Sequence, residues 1–200
     1  FALAATINIL LHRSGRKNEY VSARMLYVMA RRHDEWAGED YGGSSLRGAI
    51  MGWKNMGVCD FCLWNKVADD LTVERAKDAR ERTLGAYYRL LPEIAHFHAA
   101  LNEIGVIYVS AATHSGWDKA NAKDGGLINF EGEDPMDGHA FAIIGYTKEG
   151  FIIQNSWGEK WGNHGTAIWR YEDWHENLYD AWVVQLGYPT PEIFDLGPAR

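Results

Sequence analysis

Cysteine is nearly missing: Cys59 and Cys62 are the only two in 200 residues. No disulfide framework can staple such a chain, so a packed core must hold it together. Positive charge is in the minority, 20 Lys and Arg against 27 Asp and Glu for a formal net charge of −7. Without a basic footprint, neither nucleic acid nor an anionic membrane is an expected partner. No apolar run approaches the roughly 20 residues that span a bilayer. Internal repeats and low-complexity stretches are also lacking. What is present is ordinary for a globular protein, 46% apolar and 24% charged residues. The length suffices for one sizeable domain or two small lobes. The aromatic content stands out, with nine Trp, ten Tyr and seven Phe weighted toward the second half.

Residues 1–11 are good helix formers, apolar almost all round, which predicts a helix buried on every side. No Ser, Thr, Asp or Asn precedes the run to cap its first N–H groups. Either the chain is processed here or the first turn of the helix lies upstream of Phe1; the uncapped donors favour the second reading. Ser22 can cap a helix over residues 22–32, with Met25, Leu26, Val28 and Met29 on its apolar face. An acidic stretch, residues 33–40, breaks it. Ser44 or Ser45 opens the next helix, whose Leu46, Ala49, Ile50, Trp53 and Met56 repeat at helical spacing until Gly57. Residues 72–82 read as a charged, exposed helix interrupted before Gly85, and residues 86–90 as a short strand. Pro92 suits the first turn of a helix bearing Ile94, Phe97, Leu101 and Ile104.

The second half changes period. Residues 106–111, 140–146, 151–154, 165–171 and 181–186 are β-branched or aromatic runs bounded by Gly and polar clusters. Thr147-Lys148-Glu149-Gly150 joins the second and third as an antiparallel hairpin. Helices followed by strands give an α+β fold. The expected division is a helical lobe over residues 1–91, an antiparallel β lobe over 92–187 and a loosely docked tail over 188–200.

The hairpin carries the chemistry. His139 opens one strand and Asn155 ends its partner, so the two are close to cross-strand partners whose side chains can meet on one face. An Asn oxygen accepting from a ring N–H fixes the imidazole tautomer and frees the other nitrogen for proton transfer. Trp157 can cover that bond. Taken alone, such a pair is more often structural than catalytic.

The surrounding pattern changes that balance. Gly138-His139-Ala140, followed sixteen residues after the His by Asn155-Ser156-Trp157-Gly158-x-x-Trp161-Gly162, resembles the papain-like cysteine peptidases. Phe1-Ala2 resembles the end of that family's Gly-Ser-Cys-Trp-Ala-Phe-Ala segment, whose Cys opens a buried central helix. Gly42-Gly43-Ser44 resembles the family's Gly-Gly stretch, which binds substrate backbone.

The resemblance implies a two-lobe fold with a buried central helix and a Cys-His-Asn constellation hydrolysing peptide bonds. The Cys would lie three residues before Phe1, about 140 residues from His139, with an oxyanion Gln a little further upstream. It assigns catalysis to His139 and Asn155, support to Trp157 and Trp161, and substrate binding to Gly42 and Gly43. Peptide or protein is the implied substrate, and no metal or cofactor is required. Residues 1–200 hold neither that family's nucleophilic Cys nor its oxyanion Gln at the matching places, so the resemblance implies that this chain by itself should be inactive. Gly138 stands where many relatives carry an acidic residue. Missing disulfide partners lean toward a reducing or bacterial-type setting. The rival readings are a non-catalytic module of the same fold that only binds peptides or proteins, and a transglutaminase-like acyl-transfer enzyme, against which Asn155 argues.

The remaining candidates take bland readings. Cys59-x-x-Cys62 reads as two ordinary thiols or a local bond before redox or metal chemistry. His96 and His98 read as surface histidines, and His114 as a structural loop histidine without a partner. The charged run over residues 74–82 reads as a solvated helix face. The acidic loop over residues 131–137 reads as solvated before it reads as a cleft rim favouring basic substrates. Trp161, Trp169, Trp174 and Trp182 read as core aromatics.

Overall fold

The computed structural model describes residues 1–35, 42–66, 70–132 and 134–188. Part of the acidic stretch (residues 36–40), Glu133 of the acidic loop and the tail from residue 189 lie outside the described residues.

Helix α1 (Ala2–Arg13) buries Leu3, Ile7, Leu10 and Leu11, and Phe1 stands at its N-cap position without a side-chain cap. Ser22 caps α2 (Ala23–Arg32) by accepting from the Met25 N–H, and Ser45 caps α3 (Leu46–Met56) by accepting from that of Gly48. Gly57, at φ 69°, ends α3. A short α4 (Val73–Ala79) leads to strand β1 (Leu84–Arg89), then α5 (Ile94–Glu103), β2 (Ile107–Ala112) and α6 (Ser115–Lys119). After a single 3-10 turn come β3 (Leu127–Ile128), β4 (Gly138–Tyr146), β5 (Gly150–Gln154), β6 (Thr166–Arg170), α7 (Tyr171–Asn177) and β7 (Leu178–Leu186). The strands form one sheet in the order β1-β7-β2-β4-β5-β6-β3, antiparallel except for the two-residue β3–β6 pair.

Successive residues of a strand point to opposite faces, and each face of this sheet carries its own core. Tyr108, Ala142, Trp182 and Val184 meet Ile7 and Leu11 of α1, Met25 and Met29 of α2, and Ile50 and Trp53 of α3. Val109, Phe141, Ile143 and Ile153 face Phe97 of α5, Trp117 of α6 and Trp174 of α7. Strand β1 pairs with β7, so the sheet joins the two halves of the chain.

Several local expectations need correction. The helix expected over residues 72–82 stops at Ala79, and Arg82 is only 7% exposed. Its guanidinium sits among Glu19 (2.9 Å), Asp78 (2.8 Å) and Asp60 (3.7 Å). A charge so enclosed is tolerated because carboxylates surround it. Gly85 lies inside β1 at a bulge, where a Cβ would approach the Leu186 carbonyl oxygen to 2.7 Å. Pro92 precedes α5, whose N-cap is Glu93. His98 is half-buried: it bonds the Tyr171 hydroxyl at 2.9 Å and stacks on Tyr146.

Candidate active site

Strands β4 and β5 form the expected hairpin, with the Thr147 N–H donating to the Gly150 carbonyl. A bulge between Ile143 and Gly145 shifts the register, so the regular ladder closes at Ala142–Gln154. Continued past that point, His139 and Asn155 are diagonal rather than directly opposed neighbours, still on one face. His139 pairs with Ala111 of β2, and the Asn155 N–H donates to the Gly165 carbonyl, so both backbones are held.

The side chains meet: His139 Nε2 lies 2.7 Å from Asn155 Oδ1. That oxygen also accepts the Ser156 N–H at 2.7 Å. A backbone donor identifies the amide atom it touches as oxygen, so the imidazole must be the donor in the other bond. The proton therefore sits on Nε2, and Nδ1 is the nitrogen not committed to Asn155. Burial holds the imidazole below its ordinary value of 6.5, and the bond to Asn155 opposes this. Phe1 and Asn155 line one groove, which places the amino end of α1 beside the pair.

Trp157 lies with its ring centroid 5.0 Å from that of His139 and remains 40% exposed. Trp161 is buried and donates its indole N–H to the Trp117 carbonyl at 2.7 Å. A groove of about 850 Å³ runs beside α1, lined by Phe1, Ala5, Ile9, Tyr20, Phe61 and Asn155 among others. His139 lines a smaller cavity of about 260 Å³ with His114, Asp118, Asp137 and Trp157. Gly42 and Gly43 lie outside both linings; their carbonyls accept from the Tyr27 hydroxyl and the Arg31 guanidinium.

Cys59 is buried and Cys62 exposed, and both are free thiols. Burial pushes the Cys59 thiol up, away from the reactive thiolate. Neither lines the cavity that His139 lines. Among the described residues, no group of His, Cys, Asp and Glu could hold a metal ion, and no helix is long and apolar enough to cross a membrane. The reading of His114 as partnerless is overturned: it is fully buried and bonds Asp173 at 2.8 Å. The two stand 59 positions apart in the sequence, and nothing local signals their pairing.

The molecule is an α+β fold in which a strand-borne imidazole is bonded to a carboxamide beside a groove lined by a buried helix. The model of the papain family of cysteine proteases matches residues 51–178, most of the chain, and the chain belongs to that family. A curated relative, the uncharacterized peptidase C1-like protein L477 of Acanthamoeba polyphaga mimivirus, is 25% identical over 189 residues, covering 84% of this chain and 60% of its own length. The chain thus spans less than two thirds of that relative. Among solved structures, xylellain, a cysteine protease from Xylella fastidiosa, superposes with a TM-score of 0.78 at 21% identity, over 92% of this chain and 77% of its own. The Carica candamarcensis cysteine protease CMS1MS2, in complex with E-64, gives 0.69 at 16% identity, over 92% and 86%. At these identities the structural likeness speaks for the fold.

Proposed function

We propose that this chain belongs to a cysteine peptidase in which His139 and Asn155 serve a thiol supplied from just upstream of Phe1. The observation that carries the reading is the 2.7 Å His139–Asn155 bond, with its tautomer fixed by Ser156, in the groove that Phe1 also lines. On this reading the helical lobe (residues 1–91) and the β lobe (residues 92–187) face each other across the substrate cleft. Gly42 and Gly43 hold substrate backbone through their N–H groups.

Each residue's part follows from its position. A cysteine at the start of α1 feels the positive end of the helix dipole and the facing imidazole, and both lower its pKa below the free value of about 8.5. The imidazole takes up the thiol proton on Nδ1 while Nε2 stays bonded to Asn155. Thiolate attack on the peptide carbonyl then forms an acyl-enzyme as the Nδ1 proton passes to the leaving amine. Asn155 keeps the ring from rotating, and Trp157 limits water at that bond. An upstream Gln and backbone N–H groups stabilise the oxyanion. The 200 residues alone lack the nucleophile and do not turn over substrate.

The test is the chain extended by its natural upstream residues, assayed on a peptide amide before and after alkylation with iodoacetamide. Hydrolysis abolished by alkylation supports the proposal, and hydrolysis that survives it contradicts the mechanism. A Ser or Gly in place of the upstream Cys would instead make the protein a non-catalytic binder of peptides.

A further inference from the structure

Two buried side chains have no part in that mechanism. His114 is 1% and Asp173 0% exposed, and they join the end of β2 to the first turn of α7. His114 Nδ1 accepts the Gly116 N–H at 3.1 Å, so the ring proton lies on Nε2 and is donated to Asp173 Oδ2 at 2.8 Å. The second carboxylate oxygen accepts from Asn177 Nδ2 at 2.8 Å. The tautomer of His114 is thus fixed from both sides.

Two routes lead from this pair to His139. Thr113, next to His114, donates its backbone N–H to the Asp137 carbonyl at 2.8 Å, and its own carbonyl accepts the Met136 N–H at 2.8 Å. These bonds extend the β2–β4 ladder beyond Ala112–Gly138 and hold the segment that enters His139. The other route is α6, which His114 caps and which carries Trp117. The Trp117 ring stands edge-on to His139 at 6.4 Å and also contacts Phe141 and Trp157, while its carbonyl accepts from Trp161. His114 and His139 line the same cavity.

We infer that His114 and Asp173 are positioning residues for His139, fixing the plane of its ring through Thr113 and Trp117. The catalytic consequence rests on the function proposed above; the geometric one does not. Misplacing an acid–base group by a fraction of an ångström slows chemistry with little effect on substrate binding.

The experiment follows the His139 Nε2–H by 15N NMR in the 200-residue chain, the resonance being assigned by its loss in His139→Gln. In His114→Gln and in Asp173→Asn, its exchange with water rises about tenfold or more as the bond to Asn155 loosens. Arg82→Met, which destabilises the opposite side of the fold, is the control and leaves that exchange rate within about twofold of the parent's. In the extended chain the same two variants lower kcat by about 10- to 100-fold with KM within about twofold. Unchanged exchange in both variants, or a change no larger than in Arg82→Met, overturns the inference. If His114→Gln does not fold, the near-isosteric Asp173→Asn decides alone. A failure of the extended chain to hydrolyse peptides would sink the proposed function and leave the exchange result to judge this inference.

Discussion

The glycines of the Asn155–Gly162 block differ in what they can tolerate, and the difference can be measured. Gly162 adopts φ 57°, and a Cβ there would lie 2.2 Å from the Thr166 carbonyl oxygen. That carbonyl accepts the Asn163 N–H at 2.7 Å, so it cannot retreat without loosening the turn that returns the chain into β6. Gly158 has φ 91° but nothing within 4 Å of its would-be Cβ. Backbone strain alone costs Gly158→Ala about 1 kcal/mol. Gly162→Ala carries similar strain plus the loss of one or two backbone hydrogen bonds at about 1 kcal/mol each, in all about 2–3 kcal/mol. For a chain of this length those figures correspond to a fall in Tm of about 2–4 °C for Gly158→Ala and about 4–12 °C for Gly162→Ala. Thermal unfolding followed by circular dichroism reads both. Equal shifts would refute the argument, because they would mean that the Thr166 carbonyl does not hold Gly162 in place.

Two further expectations concern charge. Arg82→Met leaves Glu19, Asp60 and Asp78 facing one another; because these carboxylates are partly exposed the loss is about 2 kcal/mol in urea unfolding, and a loss below about 0.5 kcal/mol would show that the cluster is not a source of stability. His139 is held below 6.5 in the folded chain, so the unfolded chain takes up this proton first as pH falls. Stability therefore declines as pH drops below about 6.5, by at most about 1.4 kcal/mol per pH unit from this group. His139→Gln should flatten that decline in urea midpoints taken between about pH 5 and pH 7, and parallel curves for parent and variant would contradict the shift.

What the sequence made legible was local. Ser22, Ser45 and Gly57 announce helix ends because capping is a contact within three or four residues. The β4–β5 hairpin shows because two apolar runs flank one short polar connection, and that hairpin brings His139 to Asn155. The features it hid depend on distant partners. Arg82 reads as one more charge on a solvated face until folding brings Glu19 to it from 63 residues away. Helix α7 follows β6 without a break, and its Trp174 and Asp173 are fixed by tertiary packing rather than by a cap. Without the bulge at Ile143–Gly145 Asn155 would oppose Ala142 and stand on the other face from His139; the bulge brings the two to one face, a one-residue shift that alternation cannot reveal.

The central claim is that His139, oriented by Asn155, activates a thiol at the amino end of α1. The most direct test is the rate and site of reaction with substoichiometric iodoacetamide in the upstream-extended chain at neutral pH, read by peptide mass spectrometry. The account predicts fast carbamidomethylation of a single cysteine ahead of Phe1, slowed at least about tenfold in His139→Ala, with Cys59 and Cys62 reacting far more slowly. Reaction spread over Cys62 and the upstream thiol alike, or an upstream rate indifferent to His139, would contradict it.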